Sequence, residues 1–185
     1  MAGDRAIIHV AAGAGGAVRI GDEKSGTHIV AASSVEAAVA LAVELVDRGV
    51  EDIDLCGATG YTWTAAVEAA VAGRARVSTV LFGFESLTSV ADYKERATAG
   101  AALTALFVFV QEGVGPAREH FVHHEGDSRS VFVAVSHPDL GAAVAADFAD
   151  RVQLIELYGG FTAPDVAAVI AAVDGRIPVG VAARS

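Results

Sequence analysis

The stretches Ile53-Asp54-Leu55-Cys56-Gly57 and Ile155-Glu156-Leu157-Tyr158-Gly159 nearly repeat one another, 102 positions apart. In each, a carboxylate stands inside an apolar run that reads as a β-strand closed by glycine. Compared without a gap, residues 50–77 and 152–179 agree at 13 of 28 positions. Alanine richness inflates that count, but Ile53/Ile155, Leu55/Leu157, Gly57/Gly159, Gly73/Gly175 and Arg74/Arg176 do not depend on it. The chain therefore reads as a duplication, and the fold follows from what surrounds the two copies.

Upstream, Ser33-Ser-Val-Glu36 and Ser136-His-Pro-Asp139 each place a hydroxyl three residues before an acid, the pattern of a helix start. Helices are expected over 35–48 and 138–150, each preceded by a strand from His28 or Val131. After each central strand a second helix is expected, over 63–72 and 163–173, with Gly73 or Gly175 at its carboxyl end. Final strands follow over 77–82 and 178–183. Each half opens with a strand, 6–10 or 106–110, then a loop and a short hairpin partner at 17–20 or 120–123, and a linking helix is expected over 89–99. Strands alternating with helices imply βαβ crossovers and mostly parallel sheet. The expectation is an α/β fold of two homologous ββαβαβ-like halves related by pseudo-twofold symmetry, with helices covering the sheet; a small or partial α/β barrel is the alternative. The halves are 1–87 and 103–185, joined by 88–102.

Side chains alternate faces along a strand. Asp54 and Cys56 therefore oppose Ile53 and Leu55, and Glu156 and Tyr158 oppose Ile155 and Leu157. Gly57, and Gly159 with Gly160, allow the backbone to turn at the carboxyl end of the strand, where parallel α/β sheets gather their ligands. A carboxylate on a covered face is desolvated, which suits it to proton transfer, and a tyrosine or thiol two residues on can donate to a developing oxyanion. Asp54, Glu156, Tyr158 and Cys56 are thus the candidate catalytic set. The competing reading makes the acids structural, capping a helix or sealing an interface. Cys56 reads foremost as a small buried apolar residue and as a nucleophile only second, because its counterpart is Tyr158 and no histidine lies close in sequence to activate it.

Tyr61, Trp63 and Phe161 follow the turn glycines and are candidate walls of a ligand pocket; packing between the halves would explain them as well. Glu85 follows a strand in an equivalent place, and Arg184, its rough counterpart, could pair an acidic ligand. Thr162 and Asp165 make a capping box. The glycines of AAGAGGAV fail the dinucleotide spacing, since Val18 stands where a third glycine is needed. The run HFVHHE gathers His120, His123 and His124, but the first half offers no matching ligands, so no metal site is assigned. His9, His28 and His137 read as isolated.

Thirteen basic residues against twenty-three acidic ones give a net charge of −10, which disfavours nucleic acid and anionic membrane surfaces. The longest apolar run, 101–110, is too short to span a bilayer. MAGDRAIIHV has no basic leader, and one cysteine allows no internal disulfide, so a reducing cytoplasm is expected.

The closing run IELYGGFTAPDVAAVIAAVDGRIPVGVAARS resembles a family of short bacterial α/β proteins of unknown function, marked by an I-E-L-C-G-G-F strand and turn, then a helix and a G-[KR]-x-P-V-G strand. The resemblance is looser in the first half, through IDLCG and AGRARVSTV. The family's cysteine stands here as Cys56 in one copy and is replaced by Tyr158 in the other. The resemblance implies the α/β fold, here in tandem, and implies no reaction. The functional expectation is a small-molecule-binding protein, with acid/base chemistry of the isomerase, cyclase or lyase type and no cofactor; a homo-oligomer is admitted. The alternative is a non-catalytic binding or assembly protein.

Overall fold

The computed structural model describes residues 3–12, 17–115 and 119–184, apart from the side chains of Glu119, His120 and Arg184. The glycines at 13, 15 and 16 therefore lie outside the described residues. Contacts divide the chain into two compact units, one comprising residues up to Val80 with the chain end from Ala183, the other Leu81–Ala182.

The first unit holds β1 (Asp4–Val10), β2 (Val18–Gly21), β3 (Gly26–Ala32), α1 (Val35–Asp47), β4 (Val50–Cys56), α2 (Tyr61–Val71) and most of β5 (Arg76–Phe82). Its strands lie in the order β2-β3-β1-β4-β5, parallel except for β2. The second unit begins with a 3-10 turn (Phe84–Ser86) and α3 (Leu87–Thr98), the expected linking helix. It continues with β6 (Thr104–Val110), β7 (Glu119–Glu125), β8 (Ser128–Val135), α4 (Gly141–Phe148), β9 (Leu154–Tyr158), α5 (Ala163–Ala172) and β10 (Val179–Arg184). Here the order is β10-β9-β6-β8-β7, again parallel except at the hairpin strand β7. The two units thus share one strand order, and the repeated sequence is a repeated topology. Among the described residues no helix is long and apolar enough to cross a membrane.

Each sheet presents one apolar face to its helices. In the first unit Ala6, Ile8, Ile53, Leu55 and Val77 meet Ala38, Ala42, Leu45, Val67 and Val71. The alanines of α1 leave its backbone close to the strands. In the second unit Leu106, Val108, Ile155 and Leu157 meet Val144, Phe148, Val169 and Val173. Burial of a Val, Leu or Ile side chain is worth about 1.5–3 kcal/mol.

Helix starts differ in detail from the sequence reading. Ser34, not Ser33, caps α1: its extended backbone lets Oγ accept from the Ala37 N–H at 3.2 Å. In the second copy Ser136 caps nothing. His137 is extended and Pro138, which has no N–H, opens a 3-10 turn (Pro138–Leu140), so α4 begins only at Gly141. The Thr162–Asp165 pair behaves as expected, the Asp165 carboxylate accepting from the Thr162 N–H at 2.8 Å and its hydroxyl at 2.6 Å. The turn after each second helix enters the left-handed region one residue earlier than expected, at Ala72 and Asp174, before continuing through Gly73 and Gly175.

Two outcomes follow. A Cβ at Gly141 would lie 2.6 Å from Cε1 of the buried Phe161 ring. Overpacking of that kind costs about 1–3 kcal/mol, against about 0.4–1 kcal/mol gained by restricting the unfolded chain. Gly141→Ala is therefore expected to destabilise, and Phe161→Leu to relieve the effect, in denaturant titrations. At the amino end of the sheet, Asp4 accepts from Arg19 at 3.1 and 3.2 Å, from the Gly26 N–H at 2.8 Å, and lies 3.0 Å from His28 Nε2. Arg19 foremost, with His28, holds its carboxyl below the ordinary 3.8 despite partial burial. A lowered folded value means the contribution is complete above 3.8 and is lost as pH falls through that lowered value. Stability measured against pH should fall less steeply at the acid end in Asp4→Asn than in wild type.

Candidate functional site

The second face of each sheet carries the acids. On β1, β4 and β5 the register sets Arg5 beside Asp52, Ile7 and Ser78 on either side of Asp54, and His9 beside Cys56. Residues in register on neighbouring parallel strands project to the same side, about 4.8 Å apart. Asp54 is 5% exposed, His9 1%, and Cys56 fully buried. Arg5 Nε lies 3.4 Å from Asp54 Oδ2, so this buried carboxylate has a guanidinium beside it.

In the second unit β6 and β10 flank β9, setting Phe107 and Gly180 beside Glu156 and Phe109 beside Tyr158. Glu156 is 3% exposed and Tyr158 fully buried. The Tyr158 hydroxyl donates a hydrogen bond to Glu156 Oε2. Two residues apart on one strand, the two side chains share a face, which is why the phenol reaches the carboxylate. Phe107 stacks on Phe132 from β8, with ring centroids 4.8 Å apart, so the acid lies on an aromatic surface.

Position by position the register equates Ile7 with Phe107, His9 with Phe109, Asp54 with Glu156, Cys56 with Tyr158 and Ser78 with Gly180. At two of these positions the second copy sets an aromatic ring, Phe109 and Tyr158, where the first has His9 and Cys56. The acid is common to both.

Of the residues expected at a site, the structure joins Glu156 with Tyr158 and sets Asp54 and Cys56 on one face of β4. The turns after these strands have positive φ at Gly57, Gly159 and Gly160, as their glycines suggested. The aromatic walls lie elsewhere. Helix α2 starts at Tyr61, two residues before the expected start, so Tyr61 and Trp63 occupy its first turn rather than a loop. Tyr61 is 71% exposed, and Trp63 packs against the helix-covered core. Phe161 belongs to the second helix-covered core. Glu85 is exposed in the 3-10 turn, while its neighbour Ser86 is buried and bonds both the N–H and the carbonyl of Val179. The Arg184 and His120 side chains lie outside the described residues. His123 and His124 sit on β7 opposite Ser130 and Arg129. Among the described residues no three His, Cys, Asp or Glu side chains gather as a metal site.

His9 was missed by the sequence reading, which took it as isolated. The signal was a histidine within IIHV, but its meaning required knowing that β1 lies beside β4.

A model of a family of unknown function, DUF6506, matches residues 9–95 and residues 103–185. The chain belongs to the DUF6506 family. No curated protein and no solved structure matches it. The two DUF6506 segments contain one acid-bearing central strand each, His9, Asp54 and Cys56 falling in the first and Glu156 and Tyr158 in the second. The matched segments therefore span both copies of the acid-bearing strand, and the family carries no reaction with it.

Removing the Tyr158 hydroxyl takes a donor from a buried carboxylate, a loss of about 1–3 kcal/mol. Tyr158→Phe should cost that much in denaturant titrations, whereas Glu156→Gln, which keeps an acceptor oxygen for the phenol, should cost less.

Proposed function

We propose that the protein binds a small molecule at the carboxyl ends of β6 and β9 and catalyses a proton transfer on it, as an isomerase, cyclase or lyase does. The buried hydrogen bond from Tyr158 to Glu156 carries this reading. A carboxylate on an aromatic surface, out of water, can accept a proton from an acidic C–H of the ligand. The Tyr158 hydroxyl would then turn its hydrogen toward the oxygen on which charge develops. Return of the proton to another atom completes an isomerisation; loss of a leaving group completes an elimination.

Asp54 has a different part. The Arg5 guanidinium lies 3.4 Å from its carboxylate, so Asp54 is read as a structural ion-pair member. Divergent surroundings for two equivalent acids are a recurrent way of separating roles. The net charge of −10 supports a small-molecule ligand over nucleic acid, and the single thiol supports a reducing, cytoplasmic setting.

Thermal shifts against a metabolite panel test the reading. Wild type and Asp54→Asn should share a stabilising ligand whose effect disappears in Glu156→Gln and Tyr158→Phe. That ligand, incubated with wild type in deuterium oxide, should gain deuterium in a Glu156-dependent way. Lower stability in both second-unit variants, with every ligand response unchanged, would count against a site there.

A further inference from the structure

Strand β10 opens Val-Gly-Val, and its glycine stands where the backbone does not ask for one. Val179 and Val181 face the helix-covered core of the second unit. Gly180, between them, therefore lies on the opposite face, where it is in register with Glu156. Its φ is not positive, and the β9–β10 register runs unbroken through it, so neither a left-handed turn nor a bulge requires it. A glycine inside a strand gives up side-chain packing and loses more backbone freedom on folding than any other residue. With turn and bulge set aside, it marks a place that a ligand or another backbone approaches closely.

The equivalent place in the first unit holds a side chain. There Ser78, itself buried, stands beside Asp54. Glu156 is one methylene longer than Asp54, but its carboxylate is engaged by the Tyr158 hydroxyl, two residues on, which draws it along β9. On the β6 side Phe107, stacked on Phe132, forms the other flank. The acid of the second unit thus has an aromatic ring on one side and a strand without a side chain on the other.

We propose, on the reading of Glu156 as the proton acceptor, that Gly180 is the specificity-determining residue of this face: it leaves beside Glu156 the place taken by the CH–C=O end of a small carbonyl compound. A carboxylate removes a proton from carbon only where a neighbouring group acidifies that C–H, and a carbonyl does so by accepting the electron pair. The proton passes to Glu156, the C–H pair becomes the enolate double bond, and the carbonyl π pair moves to oxygen, where the Tyr158 hydroxyl donates to it. A methyl or hydroxymethyl group at position 180 would stand where the reacting carbon has to lie.

Proton NMR of the full chain in deuterium oxide, with cyclopentanone, cyclohexanone and cyclohexenone as probes, tests it through the loss of the α-proton signals. Wild type should accelerate deuteration of at least one probe, and Gly180→Ala and Gly180→Ser should each slow it at least about tenfold. The melting temperature of Gly180→Ala should meanwhile rise by about 1–4 °C, because the alanine restricts the unfolded chain and fits the strand backbone. If Gly180→Ala deuterates the probe as fast as wild type while Glu156→Gln does not, the proton transfer stands and the role of Gly180 is overturned. A Gly180→Ala chain that melts below wild type, as Gly141→Ala is expected to, also overturns it, since the glycine then serves packing. If wild type deuterates none of the probes, the role of Gly180 and the proton transfer on carbonyl compounds fall together.

Discussion

Taking an ionisable side chain out of water costs several kcal/mol unless a partner is supplied, and this protein does so in the middle of a sheet in each unit. The strand pleat makes the cost unavoidable. Once Ile53 and Leu55, or Ile155 and Leu157, are turned to the helices, Asp54 and Glu156 must point the other way. Each unit offsets the burial with its own chemistry, a guanidinium beside Asp54 and a phenol beside Glu156. The two solutions differ in kind, because one partner is a cation and the other a neutral hydrogen-bond donor.

That divergence is written across the whole face. Ile7, His9, Cys56 and Ser78 are answered by Phe107, Phe109, Tyr158 and Gly180. The helix-covered faces, in contrast, keep the same aliphatic character in both units. Such a pattern fits a scaffold whose packing face stays constant while the opposite face is reshaped, which is where function in a shared fold resides. DUF6506 membership of both segments places the reshaping within one family.

Much of this was legible in the sequence. Strand and helix alternation, the duplication and the facing of Asp54 and Glu156 all follow from periodicity, because a period of two determines a face without knowledge of neighbours. What depends on neighbours was not legible. His9 acquired its place beside Cys56 only through the β1–β4 register, and strand order is not encoded in any local pattern. Phe161 looked like a pocket wall until Gly141 showed the close packing it serves. Trp63 was misplaced because Gly60, with no side chain to announce a cap, starts α2 ahead of the point marked by apolar spacing. At α4 a proline displaced the helix start that a serine had seemed to mark.

The hydrogen bond from Tyr158 to Glu156 is the account's centre, and carbon-13 NMR of glutamate-labelled protein reads it directly. A phenol donating to a carboxylate favours the charged form. The Glu156 carboxyl signal should therefore titrate at higher pH in Tyr158→Phe than in wild type and stay unmoved in Asp54→Asn. A Glu156 signal that titrates with the exposed glutamates, and at the same pH whether or not the phenol is present, would contradict the account.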